Sequence, residues 1–357
     1  MNVGIVGCGV ISATYLENLR DRYPWIHVAA CTDAFEEKAQ ERAKAFAIRA
    51  VSYDEIMEAK DIDLILNLTN PQQHAAVSCD ALSHGKHVYS EKPLALSVEE
   101  GKKMIDLSAK TGMKIGCAPD MFLGGGVQTL YSALRDGLIG DPVAATAGWS
   151  SRGHERWHTN PAFYYQPGGG PVLAMGPDYV TALVGAFGSV RRVAGMSRRT
   201  FETRTITAPC PLNGTQIPVD VDTHYQAVLE FENGAVVSLL LSFDLWTNSI
   251  PRIEIYGTEG TLIGPDPNTL EGSPMIRGRN DLSFRALSLV NEYTGNVRGL
   301  GLAQMCDAIE HGTEICASGE LALHVLDVLL AVEKACHDGI TVECTTGTKI
   351  PAMMYRL

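Results

Sequence analysis

The chain lacks a C-x-x-C pair, and its nine cysteines are an odd number scattered from Cys8 to Cys344. That pattern excludes a disulfide framework and a zinc site, so no metal is expected. Cys31, in the apolar run Val28-Ala29-Ala30-Cys31, reads instead as a small buried hydrophobe. Basic residues are also short: 29 Lys and Arg stand against 41 Asp and Glu, a net charge of −12. Nucleic acid as a partner is excluded on that ground, because phosphate binding is dominated by clustered Lys and Arg. No apolar run approaches ~18 residues, so no membrane span is expected. Met1-Asn2-Val3-Gly4 has neither a basic n-region nor a cleavage site, which speaks against a signal peptide. Internal repeats and low-complexity stretches are missing too. With 45% hydrophobic and 20% charged residues, disorder is excluded. The expectation is a soluble cytoplasmic protein whose 357 residues make two domains.

What is present begins with alternating strands and helices. Residues 3–6 are a short apolar run ending in glycine, the pattern of a buried parallel strand. A helix follows with Ile11, Tyr15, Leu16 and Leu19 on one stripe, stopped by Pro24. Strands are predicted at 26–32, 63–69, 87–90 and 114–117. Between them, helices cover 35–47, start at the capping box Ser52-Tyr53-Asp54-Glu55, and start again at Asn70-Pro71 and at Ser97-Val98-Glu99-Glu100. Such units predict a doubly wound parallel sheet of Rossmann type.

From about residue 143 the pattern changes. Tyr225, Ala227, Leu229 and Phe231 alternate with polar residues up to the hairpin signal Asn233-Gly234, after which Val236–Leu241 returns. Arg252–Tyr256 alternates again, and a late helix over 320–337 ends before Gly339. The second part is therefore an α+β domain on a large, mostly antiparallel open sheet. Residues 203–222 read as a long loop or arm. Domains are placed at 1–121 and 122–357, with Gly124-Gly125-Gly126 as a tight turn at the junction.

Of the 35 glycines, those with chemical meaning are clustered. Gly7-Cys8-Gly9-Val10-Ile11-Ser12 follows the first strand and opens the first helix, so its backbone N–H groups can approach a pyrophosphate. Ser12 takes the place of the usual third glycine. Asp33 ends the second strand, 24 residues after Gly9, where a carboxylate accepts hydrogen bonds from adenosine ribose hydroxyls and repels a 2′-phosphate. The expected cofactor is NAD rather than NADP. Thr69-Asn70-Pro71-Gln72-Gln73-His74 and Glu91-Lys92-Pro93 fall at further strand ends, where ligands of such sheets bind. Thr69, Asn70, His74, Glu91 and Lys92 thus join Gly7, Gly9, Val10, Ile11, Ser12 and Asp33 as cofactor-binding candidates.

The glycine loop, the N-P-x-x-H stretch and Glu91-Lys92-Pro93 together resemble the Gfo/Idh/MocA oxidoreductases, the family of glucose–fructose oxidoreductase and inositol dehydrogenase. The resemblance covers essentially the whole chain and continues through Gly137–Pro142, Gly257–Thr261 and the final helical region. It implies that Lys92 sits beside the nicotinamide and hydrogen-bonds the reacting hydroxyl. It also implies a G-G-(G)-x-x-x-D-x-G-x-H element. Here Gly168-Gly169-Gly170 is followed by Ala174 at the Asp position and Asp178 at the His position. The expected histidine base and its carboxylate partner are both absent. Three readings stay open: Asp178 is the base; Tyr179 or Lys92 moves the proton while Asp178 orients substrate; or the chemistry has been lost.

Between these elements lies His154-Glu155-Arg156-Trp157-His158, with Phe163-Tyr164-Tyr165 just before the second glycine cluster. Sugars present apolar C–H faces and rings of hydroxyls, which suit stacking aromatics beside polar donors. His154, Trp157, His158 and Tyr164, with Asp120 at the junction, are the substrate-binding candidates. The expected function is NAD-dependent hydride transfer at a secondary hydroxyl of a small-molecule sugar, polyol or glycoside, a hexopyranose being preferred. The alternatives are a lyase or hydrolase that keeps NAD and oxidises its sugar only transiently, and a non-catalytic NAD- or sugar-binding protein. An open sheet face also predicts a homo-oligomer, dimer or tetramer.

Overall fold

The structure is a computed structural model that describes residues 1–354. It groups into two compact units. The first holds Met1–Gly124 and Tyr293–Leu326 with residues 351–354; the second holds Gly125–Glu292 and Asp327–Ile350. Relative to a division at 121/122, the segment 293–326 thus returns to the first unit. Its reason is physical: the segment packs and hydrogen-bonds onto the first helix and the end of the parallel sheet, contacts that no local pattern announces.

In the first unit, β1 (Asn2–Val6), α1 (Val10–Arg22), β2 (His27–Thr32), α2 (Glu36–Phe46), β3 (Arg49–Ala50) and α3 (Tyr53–Glu58) come first. They are followed by β4 (Leu64–Asn67), α4 (Pro71–Ser83), β5 (His87–Ser90), α5 (Val98–Thr111) and β6 (Ile115–Cys117). The strands form one sheet in the order β3-β2-β1-β4-β5-β6 with every pair parallel. All four β4 residues are buried, as expected of a strand covered on both faces. The Ser52–Glu55 capping box forms as the spacing predicts, and the Ser97 hydroxyl accepts the Glu100 N–H at 3.1 Å. Asn70 is different. It occupies the N-cap of α4 with extended backbone, but its side chain makes no capping bond.

The second unit starts with α6 (Gly125–Arg135), β7 (Pro142–Ser150), α7 (Gly170–Phe187) and β8 (Val190–Arg198). The stretch read as an unstructured arm contains β9 (Thr203–Thr205) and β10 (Gln216–Pro218), a short antiparallel ladder of their own. Next come β11 (His224–Phe231), β12 (Val236–Ser242), β13 (Ile253–Gly257), β14 (Gly260–Gly264), β15 (Met275–Gly278) and β16 (Arg285–Ala286). After α8 (Leu300–His311) of the first unit, α9 (Gly319–Asp338) leads into β17 (Val342–Glu343). The nine-stranded sheet runs β16-β15-β14-β13-β7-β12-β11-β8-β17 and is mixed, because β12 pairs with β7 in parallel. Elsewhere it is antiparallel. Tyr225, Ala227, Leu229 and Phe231 of β11 are buried as the alternation predicts, and Gly234 turns the hairpin at φ +87°.

Helix α7 is buried at every position except Ala174 and Ala186 and packs on β7, β11 and β12. An all-round apolar helix needs cover on all sides. Gly176 permits the approach of α9, since a Cβ there would lie 2.5 Å from the Leu329 side chain. Gly125 and Gly126 open α6 rather than form a tight turn; a Cβ on either would sit 2.6 Å from a backbone carbonyl, of Asn291 and Gly272 respectively. Among the described residues no helix is long and apolar enough to cross a membrane.

Candidate active site

The C-terminal end of β1 runs directly into the glycine loop. Gly7 has φ +103°, and a Cβ there would stand 2.5 Å from the Leu68 carbonyl oxygen, so only glycine fits this approach of the loop to the end of β4. Gly9 is different in kind. Its φ is −68°, it caps α1 with no side-chain capping bond, and a Cβ would meet nothing within 4 Å. Open space therefore faces the N–H groups of the first turn of α1, where the helix dipole favours an anion. Val10, the first residue of that turn, is 93% exposed. Ser12 turns its hydroxyl back onto the Gly9 carbonyl at 2.7 Å, and Arg42 reaches the same oxygen at 3.4 Å. Ile11 is half-buried beside them.

Asp33 is oriented by the loop itself. One carboxylate oxygen accepts the Cys8 N–H at 2.7 Å and the other accepts the Phe35 N–H at 2.9 Å. Gly7, Gly9, Asp33, Thr69 and Asn70 all border one cleft of about 900 Å³. Cys8 is not a nucleophile here. The thiol donates to the Thr32 carbonyl, and its contact with Cys31 together with burial pushes its pKa far up.

Thr69, His74 and Glu91 bond within the protein around this cleft. The Thr69 hydroxyl donates to Asn67 Oδ1 at 2.6 Å, and Asn67 Nδ2 donates to Ser78 and to the His74 carbonyl. His74 is buried, with Nδ1 2.6 Å from the Pro93 carbonyl and Nε2 3.0 Å from the Thr69 carbonyl. It bridges two loops and does not border the cleft. Glu91 likewise points inward: one oxygen accepts the Tyr15 hydroxyl and Arg298, the other the Lys92 N–H. Lys92 itself is half-buried. Asn67 had a legible signal, a polar residue within a buried strand. Arg298 had none.

Asp120, a substrate-binding candidate in the sequence, has a structural role. It is 1% exposed, and its Oδ2 accepts the N–H groups of Gly299 and Gly301 at 2.9 and 3.0 Å, so it holds the start of α8.

In the second unit, α7 places Asp178 and Tyr179 side by side, both buried. The Tyr179 hydroxyl donates to Asp266 at 2.8 Å, and burial with the Asp266 charge pushes its pKa far up. That hydroxyl is thus engaged with Asp266. His154 is buried in a ring cluster, 4.1 Å from Tyr164 and 4.6 Å from Phe243 between centroids. His158 and Trp157 continue the cluster outward, and Trp157 is 59% exposed. Beneath it Arg204 of β9 pairs with Glu155 at 3.0 Å and with Asp244, while Tyr165 donates to Glu155. The small ladder in 203–222 thus anchors the aromatic segment.

The cradle fits a dinucleotide. Gly9 leaves the room a pyrophosphate needs, and Asp33 stands held at the end of β2. Residues 1–118 match the family model described as the oxidoreductase family, NAD-binding Rossmann fold, and residues 127–263 match the GFO/IDH/MocA C-terminal domain. The chain belongs to the NAD-binding GFO/IDH/MocA oxidoreductases. It is 29% identical over 118 residues to inositol 2-dehydrogenase of Salmonella typhimurium, covering 32% of this chain and 35% of that one. It thus spans about a third of the length of such relatives. It is also 24% identical to 1,5-anhydro-D-fructose reductase of Ensifer adhaerens, over 86% of this chain and 89% of that one. Among solved structures, levoglucosan dehydrogenase with NADH shares its fold at TM-score 0.81 and 20% identity, covering 97% and 99% of the two chains.

The two loop glycines predict separable variants. Gly9→Ala leaves the melting temperature near wild type, since its Cβ meets no atom of the chain, yet weakens NAD binding by filling the cradle. Gly7→Ala lowers both, at a cost of roughly 1–3 kcal/mol or more in stability. Thermal melts with NADH fluorescence titrations check both; unweakened binding in Gly9→Ala would contradict the cradle.

Proposed function

We propose that the protein oxidises a secondary ring hydroxyl of a sugar, cyclic polyol or glycoside with NAD, reversibly. The observation that carries this reading is the pairing of an open glycine cradle with a fixed Asp33 in a chain of this family. Bound NAD supplies a hydride acceptor at C4 of its nicotinamide. The N–H groups at the start of α1 hold the pyrophosphate, and Asp33 receives the adenosine ribose hydroxyls. Lys92 hydrogen-bonds the carbinol oxygen. Asp178, at the position where the family pattern has histidine, is the carboxylate that takes the hydroxyl proton. His154, Trp157, His158 and Tyr164 supply aromatic faces and polar edges for a ring. Names of similar proteins support a cyclic polyhydroxyl substrate: inositol, levoglucosan and 1,5-anhydro-D-fructose are all of that type.

We also propose a homo-oligomer, dimer or tetramer. The open face of the nine-stranded sheet carries exposed Met196, Val228, Ile250 and Ile340 around a groove of about 480 Å³, an apolar surface that a second copy would cover. Light scattering after size exclusion is expected to give a multiple of 38.5 kDa, and a Val228→Glu, Met196→Glu double variant is expected to move it to the single-chain mass. A wild-type monomer at micromolar concentration would contradict this.

Turnover is tested at 340 nm with myo-inositol, levoglucosan and simple glucosides plus NAD, and with 1,5-anhydro-D-fructose plus NADH. At least one is expected to react, with kcat falling about 100-fold or more in Lys92→Ala and Asp178→Ala while NAD binding holds. NAD binding with no absorbance change in either direction would favour a binding protein. Release of aglycone from glucosides without net NADH would favour the lyase reading.

A further inference from the structure

Lys92 follows a residue whose carboxylate is committed entirely to the protein. Glu91 Oε2 accepts the Lys92 backbone N–H at 3.0 Å. Its Oε1 accepts the Tyr15 hydroxyl at 2.9 Å and Arg298 Nη1 at 3.3 Å. The Glu91 backbone is fixed as well: its N–H donates to the Asn67 carbonyl at 2.9 Å, and its own carbonyl accepts the Ser90 hydroxyl at 3.1 Å. One residue beyond Lys92, the Pro93 carbonyl meets His74. Arg298 is itself held in place. Asn18 Nδ2 donates to its carbonyl at 2.9 Å, the Tyr23 hydroxyl donates to the Val297 carbonyl at 3.1 Å, and Gly299 next to it binds Asp120. Helix α1, which opens at the glycine cradle, and Tyr23 at its end therefore also anchor the chain at Arg298.

The charge state of Glu91 decides whether this arrangement works. A protonated carboxyl keeps less acceptor capacity, and three donors converge on these two oxygens. The side chains of Glu91 and Arg298 are only 12% and 22% exposed. Burial alone would raise the Glu91 pKa; the Arg298 and Lys92 charges, the Lys92 N–H and the Tyr15 hydroxyl outweigh it and hold the carboxyl below its usual range. Other titratable groups facing the cluster are Tyr89 on β5, Cys117 on β6 and Asp120 just beyond it. Burial pushes the pKa of all three upward, which keeps the Tyr89 hydroxyl and the Cys117 thiol protonated, while Arg298 and the N–H groups of Gly299 and Gly301 oppose the shift at Asp120. Arg298 is the cation that balances Glu91.

We propose that Arg298 and Tyr15 are positioning residues for Lys92: bonded to Glu91 Oε1, they hold the carboxylate so that its Oε2 pins the Lys92 amide, and so set where the lysine side chain starts. Neither touches the reacting carbon. This rests on the role given to Lys92 above.

The experiment compares wild type with Arg298→Met, Arg298→Lys, Tyr15→Phe, Glu91→Gln and Lys92→Ala. One readout is the pH dependence of kcat with the fastest substrate of the panel. A second needs no turnover: the proton shift of the Lys92 amide followed by NMR as Glu91 titrates. Arg298→Met is expected to lower kcat about 10- to 100-fold, with NAD affinity within about threefold. The acid limb of kcat and the Lys92 amide midpoint both move upward, by about one pH unit, because the main charge that lowers the Glu91 pKa is gone. Arg298→Lys recovers most of the rate, Tyr15→Phe gives a smaller shift of the same sign, and Glu91→Gln abolishes the amide titration. An unmoved midpoint and wild-type kcat in Arg298→Met would overturn the inference and leave the role of Lys92 standing. If Arg298→Met does not fold, an unmoved midpoint in Tyr15→Phe overturns it. Wild-type turnover in Lys92→Ala would overturn both.

Discussion

The approach of Gly7 to the Leu68 carbonyl is the constraint on which the rest of the first unit depends. β1 and β4 are neighbours in the sheet, and their C-terminal ends can lie this close only if the residue leaving β1 has no side chain. That approach sets the path of the loop. The loop then fixes Asp33 through the Cys8 N–H and leaves Gly9 facing open space at the start of α1. In the proposed function, the pyrophosphate site and the ribose-facing carboxylate both rest on that one backbone contact. The net charge of −12 is compatible with an anionic cofactor on the same ground: N–H groups and a helix dipole bind it without a basic surface.

Much of this was legible in the sequence because it is local. The glycine spacing, the capping box at Ser52, the N-cap at Ser97, the buried alternation of β11 and the turn at Asn233-Gly234 each need only neighbouring residues to be understood. What was not legible depends on distant partners. Asp120 was placed among the substrate ligands because it follows a strand end; it binds Gly299 and Gly301, about 180 residues away in the chain. Tyr179 qualified as a base by position, but its hydroxyl donates to Asp266, 87 residues on. Glu91 and His74 are cofactor-like in spacing yet turn inward to support Lys92 and the Thr69 loop. The arm at 203–222 hid a two-stranded ladder whose Arg204 neutralises two buried carboxylates.

The family pattern and this chain part company on α7, where Ala174 and Asp178 replace the expected acid–histidine pair. The helix is buried nearly all round, so its packing fixes where Asp178 stands. If Asp178 is the base, as proposed, it needs no partner to fix a tautomer. On this account catalysis leans harder on the placement of Lys92, and the buried Glu91 cluster beneath it becomes the element to examine.

The central claim is that Asp33 and the open cradle select an unphosphorylated dinucleotide. The direct measurement is a pair of titrations of the wild-type protein with NADH and NADPH, followed by nicotinamide fluorescence at the same ionic strength. The account predicts that NADH binds at least about tenfold more tightly, since a 2′-phosphate would face the Asp33 carboxylate. Equal affinities, or a preference for NADPH, would contradict it.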